Sequence, residues 1–195
     1  MKVLFFDTET TGIKSKWNPG FVPALVQLSA ILQDDETGRV YGEINLINRD
    51  CGEIPVEASN VHGITQALAE EVGIDMDVLE DVFISLAKHA DRLVAHNIEF
   101  DMDIIKDNMP EVWDMICLIP QYCTKVRSTM VVRAPLTDKQ LAYFKTHPEK
   151  KEHDFKGPTL AEAYRHFFGK DFEGAHDAAV DTRACRDVYF ALNKR

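Results

Sequence analysis

Two carboxylates near the start of the chain are spaced so that they could share a metal ion. Asp7 and Glu9 follow the short apolar run at residues 3–6, and residues two apart in an extended segment point to the same face. Without a cation the two charges repel each other, whereas a divalent ion removes that conflict. The pair predicts a metal site at a strand end, although two acids in a loop would have the same spacing.

A second acidic cluster follows another short apolar run, at residues 93–95. It reads His96-Asn97-Ile98-Glu99-Phe100-Asp101. We expect Asp101 in the first turn of the next helix, where the helix dipole favours a negative charge. Helix capping alone would explain this acid, so both interpretations stay open for the cluster by itself.

The third cluster opens the last helix of the chain and reads His176-Asp177-Ala178-Ala179-Val180-Asp181. Asp181 shares one helix face with Cys185, Val188 and Leu192, because the spacings are four, three and four residues. An acid on an apolar, inward-facing stripe is costly unless it is paired or binds a metal. This position therefore favours a functional role for Asp181, with His176 able to turn toward the same site.

The elements that must position these clusters alternate between strand and helix patterns. A turn at residues 34–39 predicts a hairpin between two β-rich segments. Pro110 limits one helix, and Thr159 with Glu162 forms a capping box for another that Gly169 would end. We expect strands at 3–6, 24–33, 40–47, 93–95 and 115–119, and helices at 65–72, 77–90, 98–108, 159–168 and 177–193. The pattern predicts an α/β fold with a mixed central sheet flanked by helices.

Composition limits the class of protein. The 195 residues with a mass of 22.1 kDa fit one domain, and 45% hydrophobic with 28% charged residues is ordinary for a soluble protein. No apolar run is long enough to cross a membrane, and the apolar run at residues 3–6 is too short for a signal peptide. The four cysteines form no C-x-x-C pair. We therefore expect a cytoplasmic protein with reduced thiols and no zinc.

Charge is unevenly distributed along the chain. The net charge of −10 argues against a nucleic-acid-coating protein, because phosphate binding depends largely on Lys and Arg. Residues 125–156 nevertheless contain eight basic and four acidic side chains, and this segment either faces a polyanion or is a solvated surface insertion. Its basic residues are Lys125, Arg127, Arg133, Lys139, Lys145, Lys150, Lys151 and Lys156.

Taken together, the three clusters resemble the three exonuclease motifs of the DnaQ-like superfamily, in the order that the superfamily has them. The motifs are Phe6-Asp7-Thr8-Glu9-Thr10-Thr11-Gly12, then Asn97 to Asp101, then His176 to Asp181. The histidine five residues before the last aspartate resembles the subtype with His at that place. The segment Val61-His62-Gly63-Ile64-Thr65 resembles a stretch of the proofreading subunits of bacterial replicative polymerases. The resemblance covers about residues 2–124 and 157–192.

The resemblance implies a ribonuclease H-like fold and a single exonuclease domain over residues 1–195, with a basic insertion at about 125–156. It implies hydrolysis of phosphodiester bonds from the 3′ end, with release of nucleoside monophosphates. Two Mg²⁺ or Mn²⁺ ions suit such oxygen ligands. The implied metal ligands are Asp7, Glu9, Asp101 and Asp181, with Asp7 bridging both ions; the implied general base is His176; the implied contacts to the terminal nucleotide are Thr10, Thr11, His62 and Asn97.

Several alternatives remain open on the sequence. An exoribonuclease of the same superfamily, similar to oligoribonuclease or ribonuclease T, would carry the same motifs, because contacts to the 2′-hydroxyl leave no motif. A non-catalytic nucleic-acid-binding module on the same fold is another possibility. A haloacid-dehalogenase-type phosphatase is disfavoured by Glu9 and by the early hairpin. We expect the 3′ ends of single-stranded DNA, rather than RNA, as substrate. A polymerase partner would be a separate chain. No membrane association is expected, and the sequence leaves open whether the protein forms a homodimer.

Overall fold

A five-stranded mixed sheet lies at the centre of the computed structural model, which describes residues 1–14, 18, 20–151 and 153–194. The order within the described residues is β3-β2-β1-β4-β5. Strand β1 pairs with β2 antiparallel and with β4 parallel, and β5 continues the parallel half. The strands are β1 (Lys2–Thr10), β2 (Leu25–Asp34), β3 (Val40–Ile47), β4 (Arg92–Ala95) and β5 (Gln121–Cys123). The predicted hairpin and mixed sheet are confirmed.

Helices cover both faces of this sheet. They are α1 (Val56–His62), α2 (Gln66–Val72), α3 (Met76–Ala87), α4 (Ile98–Asn108), α5 (Pro110–Ile116), α6 (Thr124–Val132), α7 (Asp138–Thr146), α8 (Leu160–Phe168) and α9 (Ala178–Asn193). No helix in the described part of the chain is long and apolar enough to cross a membrane. All four cysteines lie in that part and are free.

The central strand β1 buries both of its faces, each against a different layer of helices. Leu4 and Phe6 pack with apolar residues of α3, α4 and α5. Val3 and Phe5 point the other way and pack with Cys185 and Tyr189 of α9 and their neighbours. Because side chains alternate along a strand, the residues that follow on β1 also divide between the α4 side and the α9 side.

Local capping fixes where the two C-terminal helices begin and end. The Asp177 side chain accepts hydrogen bonds from the backbone N–H groups of Ala179 and Val180, so Asp177 is the N-cap of α9. The capping box of Thr159 and Glu162 at the start of α8 is confirmed. Gly169 ends α8 with φ 69°, a left-handed conformation that suits glycine.

Three expectations on the elements need correction. The strand expected at residues 115–119 is wrong: Pro110 starts helix α5, which buries Val112 and Ile116 one turn apart, and the strand comes later, at Gln121–Cys123. The first strand does not end at residue 6 but continues to Thr10, so the first acidic cluster lies within β1. Helix α1 was not expected, because Pro55 and a seven-residue length leave a weak periodic signal.

The described residues of the basic segment, 125–151 and 153–156, are folded and only partly peripheral. Helix α6 packs against α8 and α9, and its Thr124 and Ser128 are fully buried. Beyond α6, strands β6 (Ala134–Pro135) and β7 (Phe155–Lys156) pair with each other and enclose α7 and a 3-10 turn at Pro148–Lys150. The described part of this segment is therefore a structured outer layer that adjoins α8 through α6 and Lys156.

Candidate active site

Four carboxylates come together where β1 ends. Asp7 and Glu9 continue the face of β1 that looks toward α9, which carries Asp181, while Asp101 lies in the first turn of α4 on the opposite face. Burial raises the pKa of Asp7 well above its usual range, and the negative charges of Asp101, Asp181 and Glu9 raise it further. Asp7 is thus the centre of the acidic cluster.

Thr8 holds Asp101 in the site from the other side of the strand. Its backbone N–H and its hydroxyl both donate to Asp101 Oδ1, over 3.1 and 2.8 Å. Asp101 is only 2% exposed, and burial raises its pKa to about 7 even though the two hydrogen bonds from Thr8 favour the ionised form. Strand alternation, which sends Thr8 away from Asp7 and Glu9, is what allows this contact.

Asp181 and His176 are joined through the loop before α9. The backbone N–H of His176 donates to Asp181 Oδ2 over 3.2 Å. The other carboxylate oxygen, Oδ1, is buried and has no hydrogen-bond partner among the described residues. His176 has φ 69°, a left-handed conformation that is uncommon outside glycine. The potential ligand atoms of Glu9, His176 and Asp181 all lie within 4.8 Å of one another.

The donor set of this cluster fits hard divalent cations. Burial raises the pKa of Glu9 to about 8 and that of Asp181 to about 6, and neighbouring carboxylates add to the shift of Glu9. Carboxylates packed this closely repel one another unless a cation lies between them. The unpartnered Oδ1 of Asp181 offers a free acceptor in the cluster. Oxygen ligands of this kind suit Mg²⁺ or Mn²⁺.

A cavity of about 380 Å³ opens beside the acidic cluster, within the usual size range of ligand pockets. Glu9 and Thr10 of β1 line one side, and His62 of α1 lines another. Much of the remaining wall is apolar, since it is formed by Ile13, Val61, Phe100, Pro55 and Ala58. The cavity therefore places an apolar surface next to the carboxylates.

His62 lines this cavity with a neutral imidazole ring. Its Nδ1 accepts a hydrogen bond from the backbone N–H of Ile64 over 3.1 Å, so the proton of the neutral ring is on Nε2. Nε2 is buried, and a backbone group of Thr10 close to the ring favours its protonated form. Burial lowers the pKa of His62, and the nearby His176 lowers it further. The imidazole is therefore neutral near pH 7.

A family comparison decides what kind of site this is. The family model described as "RNase_T: Exonuclease" matches residues 4–189, which include all three acidic clusters and the basic segment. The chain belongs to the exonuclease family. The resemblance to the DnaQ-like superfamily that the motifs predict is confirmed.

Individual relatives agree with this family assignment. The exonuclease domain is 26% identical over 134 residues to DNA polymerase III subunit epsilon of Buchnera aphidicola subsp. Schizaphis graminum (strain Sg), a match that covers 68% of this chain and 55% of that protein. Its structure is similar to E. coli exonuclease I in complex with a dA16 oligonucleotide, with a TM-score of 0.69 and 19% identity. The zinc-bound complex of E. coli exonuclease I with single-stranded DNA matches with a TM-score of 0.70 and 18% identity.

The coverage of these matches shows how much of each relative the exonuclease domain represents. Each match to exonuclease I covers 100% of this chain but only 41% of the exonuclease I chain. The chain thus spans about half the length of the polymerase subunit and less of exonuclease I. The likeness in structure confirms the predicted ribonuclease H-like fold.

Of the four residues predicted to contact the terminal nucleotide, Thr10, Thr11 and His62 line the cavity of the exonuclease domain and Asn97 does not. The Thr10 hydroxyl donates to the Gly12 carbonyl over 2.6 Å, and the Thr11 hydroxyl accepts from the Ala24 N–H over 2.9 Å, so both side chains shape the loop that lines the cavity. Asn97 is exposed and does not line the cavity. Its Oδ1 instead accepts a hydrogen bond from Lys125.

Two positioning residues of the exonuclease domain were missed on the sequence. Thr8 lies between the two acids of the first motif, and only the pairing with Asp101 gives it a role. Gln27 of β2 is 3% exposed, and its Oε1 accepts from the backbone N–H of Ala178, which anchors the first turn of α9 to the sheet. A polar residue among the apolar residues that open strand β2 is the signal that could have identified Gln27.

Proposed function

We propose that this exonuclease domain removes nucleoside 5′-monophosphates from the 3′ end of single-stranded DNA with the help of two divalent metal ions. The observation that carries the proposal is the convergence of four carboxylates with raised pKa values beside a cavity of about 380 Å³. An acidic site of this kind is unfavourable for a nucleic-acid end unless cations accompany it.

Asp7, Glu9, Asp101 and Asp181 are the proposed ligands of the ions. When bound, two such ions activate the attacking water and stabilise the attacking and leaving oxygens of an in-line phosphoryl displacement. Asp7 would hold the ions from the middle of the cluster, because the charges of the other three carboxylates all raise its pKa. Thr8 would keep Asp101 in its ligating orientation through two hydrogen bonds.

His176 is the proposed general base. Its ring lies within 4.8 Å of potential ligand oxygens of Glu9 and Asp181, on the exposed rim of the site where water has access. An imidazole is suited to accept a proton near neutral pH. The hydrogen bond from its backbone to Asp181 couples the position of the base to that of a proposed metal ligand.

The cavity beside Glu9 is the proposed site of the 3′-terminal nucleotide. Its apolar wall, with Phe100, would hold the base by stacking, which is largely independent of sequence. His62, which lines the same cavity, would contact the nucleotide with its neutral imidazole ring. Thr10 and Thr11 would act through the backbone that their hydroxyls hold in place.

DNA is proposed as the substrate, and a polymerase as a partner on a separate chain, on the basis of the relatives. One relative is a subunit of DNA polymerase III, and exonuclease I is described with DNA oligonucleotides. The experiment compares DNA and RNA strands of equal length, labelled at either end, with Mg²⁺, Mn²⁺ or EDTA. We expect single nucleotides to leave from the 3′ end of DNA only when a metal is present.

Asp7→Asn is the matching variant, because it keeps the shape of the side chain and removes its charge. It should abolish hydrolysis while the circular dichroism spectrum stays that of the wild type. Substantial cleavage by this variant in Mg²⁺ would refute the metal assignment, and faster cleavage of RNA than of DNA would reassign the domain as an exoribonuclease.

A further inference from the structure

A groove lined by basic residues lies on the outer layer of the molecule, and its lining residue Lys125 bonds to Asn97 of the second acidic cluster. Two cavities of about 620 and 250 Å³ form it, and they adjoin because Gln140, Lys156 and Gly157 line both. The first also contains Lys125, and the second contains Lys150. We refer to these two cavities together as the basic groove.

The lining of the basic groove has a charge opposite to that of the chain. Three lysines and two histidines line it, and no carboxylate among the described residues does. The whole chain, in contrast, has a net charge of −10. Lys156 is neutralised by an ion pair with Glu162, so the excess positive charge of the groove comes mainly from Lys125 and Lys150. A concave surface of one charge attracts ligands of the opposite charge.

The inner end of the basic groove reaches the second acidic cluster. The Lys125 ammonium donates to Asn97 Oδ1 over 3.3 Å, and Asn97 is the N-cap residue of the helix that carries Asp101. Gly157 lies under the Lys125 side chain, since a Cβ at this position would be 3.4 Å from its Cε. The groove and the proposed metal site are therefore joined through a few residues at the carboxyl end of β4.

The outer end of the basic groove adds aromatic rings to the positive charge. Phe155 stacks on His153 with ring centroids 4.9 Å apart and an interplanar angle of 10°, and both line the groove together with Phe144. Lys150 lies over the ring of Tyr143. Positive charge interleaved with aromatic rings is the usual surface for single-stranded nucleic acid, because it neutralises phosphates and stacks bases without reading sequence.

We propose that the basic groove binds the phosphodiester backbone of the substrate strand on the 5′ side of the nucleotide that is removed. This inference rests on the proposed function and extends it by a second contact region. The acidic metal site holds the strand end, while Lys125 and Lys150 hold the strand that leads to it. A short substrate that ends inside the active site cannot reach Lys150.

Binding without turnover tests the groove independently of hydrolysis. The probe is a fluorescent single strand of about 12 nucleotides, a length within the usual site size, and its anisotropy is followed in EDTA as salt is raised. For single strands the salt slope is about −0.7 per phosphate contact. The double variant Lys125→Gln with Lys150→Gln should therefore make the salt slope less steep by about 1.4. Between roughly 50 and 200 mM salt, the wild type should thus lose about 7 times more affinity than the variant.

The matched control is Lys139→Gln with Lys145→Gln. It removes the same charge from the same basic segment, but neither residue lines the groove. We expect its salt slope to equal that of the wild type. Equal salt slopes for the two double variants and the wild type would overturn the proposal. An equal reduction of the salt slope in both double variants would also overturn it, because the effect would then come from charge in general and not from the groove.

A second measurement compares hydrolysis of the long strand with that of a dinucleotide in Mg²⁺. Lys150→Gln should lower the ratio of kcat/KM for the long strand to kcat/KM for the dinucleotide, whereas damage to the active site lowers both and leaves the ratio unchanged. An unchanged ratio overturns the groove. If the wild type binds the strand through the groove in EDTA but hydrolyses neither substrate, the proposed function fails and the groove stands.

Discussion

Removal of divalent metal should make the stability of this protein fall as pH rises through neutrality. The carboxylates of the acidic cluster have pKa values raised mainly by burial, so the folded state binds protons that the unfolded state releases. A raised carboxyl pKa gives stability that is fully present below the unfolded value and is lost as pH rises through the folded value. For Glu9 this interval extends from its ordinary pKa of 4.5 to about 8.

The magnitude follows from the raised pKa values of about 8 for Glu9, about 7 for Asp101 and about 6 for Asp181. At pH 7 these groups together bind about 1.5 more protons in the folded than in the unfolded state. The free energy of unfolding in EDTA should thus fall by about 2 kcal/mol per pH unit near pH 7. The raised pKa of Asp7 makes the dependence steeper.

The assay is urea unfolding followed by circular dichroism, between pH 6 and 8 in steps, in EDTA and in saturating Mg²⁺. Metal that binds the ionised carboxylates of the folded state stabilises it, so the difference between the two series should grow with pH. Asp7→Asn should flatten the dependence in EDTA and be more stable than the wild type at the upper end of the range.

Glu99→Gln is the matched control for this experiment. It removes one carboxylate from the same motif, but Glu99 is exposed on α4 and contributes nothing to the raised pKa of Asp7. The control should follow the wild type. A stability in EDTA that stays level or rises between pH 6 and 8, or a Glu99→Gln variant that flattens the dependence as much as Asp7→Asn does, would refute the reasoning.

Three further predictions concern single side chains of the site. His176→Ala should lower kcat by a factor of about 10² to 10⁴, the usual contribution of a general base, and an unchanged rate at pH 7 would exclude His176 from that role. Thr8→Val removes the hydroxyl donor to Asp101 and should weaken Mg²⁺ binding by a factor of about 10 to 100, as measured by metal titration. Thr8→Ser keeps the hydroxyl and should bind Mg²⁺ like the wild type, whereas an equal loss of Mg²⁺ affinity in both variants would point to packing instead. His62→Asn keeps a side-chain acceptor for the Ile64 N–H but removes the imidazole ring from the cavity wall, so it should raise KM with little change in unfolding midpoint. His62→Ala should lower both affinity and stability, and a wild-type KM in His62→Asn would remove His62 from substrate binding.

Much of the fold could be predicted because local patterns decided it. The hairpin between β2 and β3, the bounds of α4 and the capping of α8 depend on turn residues, Pro110 and a capping box, all of which act within a few residues. The strand expected at residues 115–119 failed because a short apolar run fits either a strand or one face of a helix. Burial of Val112 and Ile116 against the sheet, which is a tertiary effect, selected the helix.

The sequence by itself determined which residues could do chemistry. Their types and spacing predict a metal site, the resemblance of the three motifs to the DnaQ-like superfamily implies an exonuclease, and the family match agrees with that resemblance. Only the tertiary structure decided how they meet. Alternation along β1 sends Asp7 and Glu9 toward α9 and Thr8 toward Asp101 on α4, so one strand collects carboxylates from both faces of the sheet. The tertiary structure also places Asn97 outside the cavity, where its Oδ1 accepts a hydrogen bond from Lys125. These contacts join residues many positions apart, and spacing within a single segment carries no information about them.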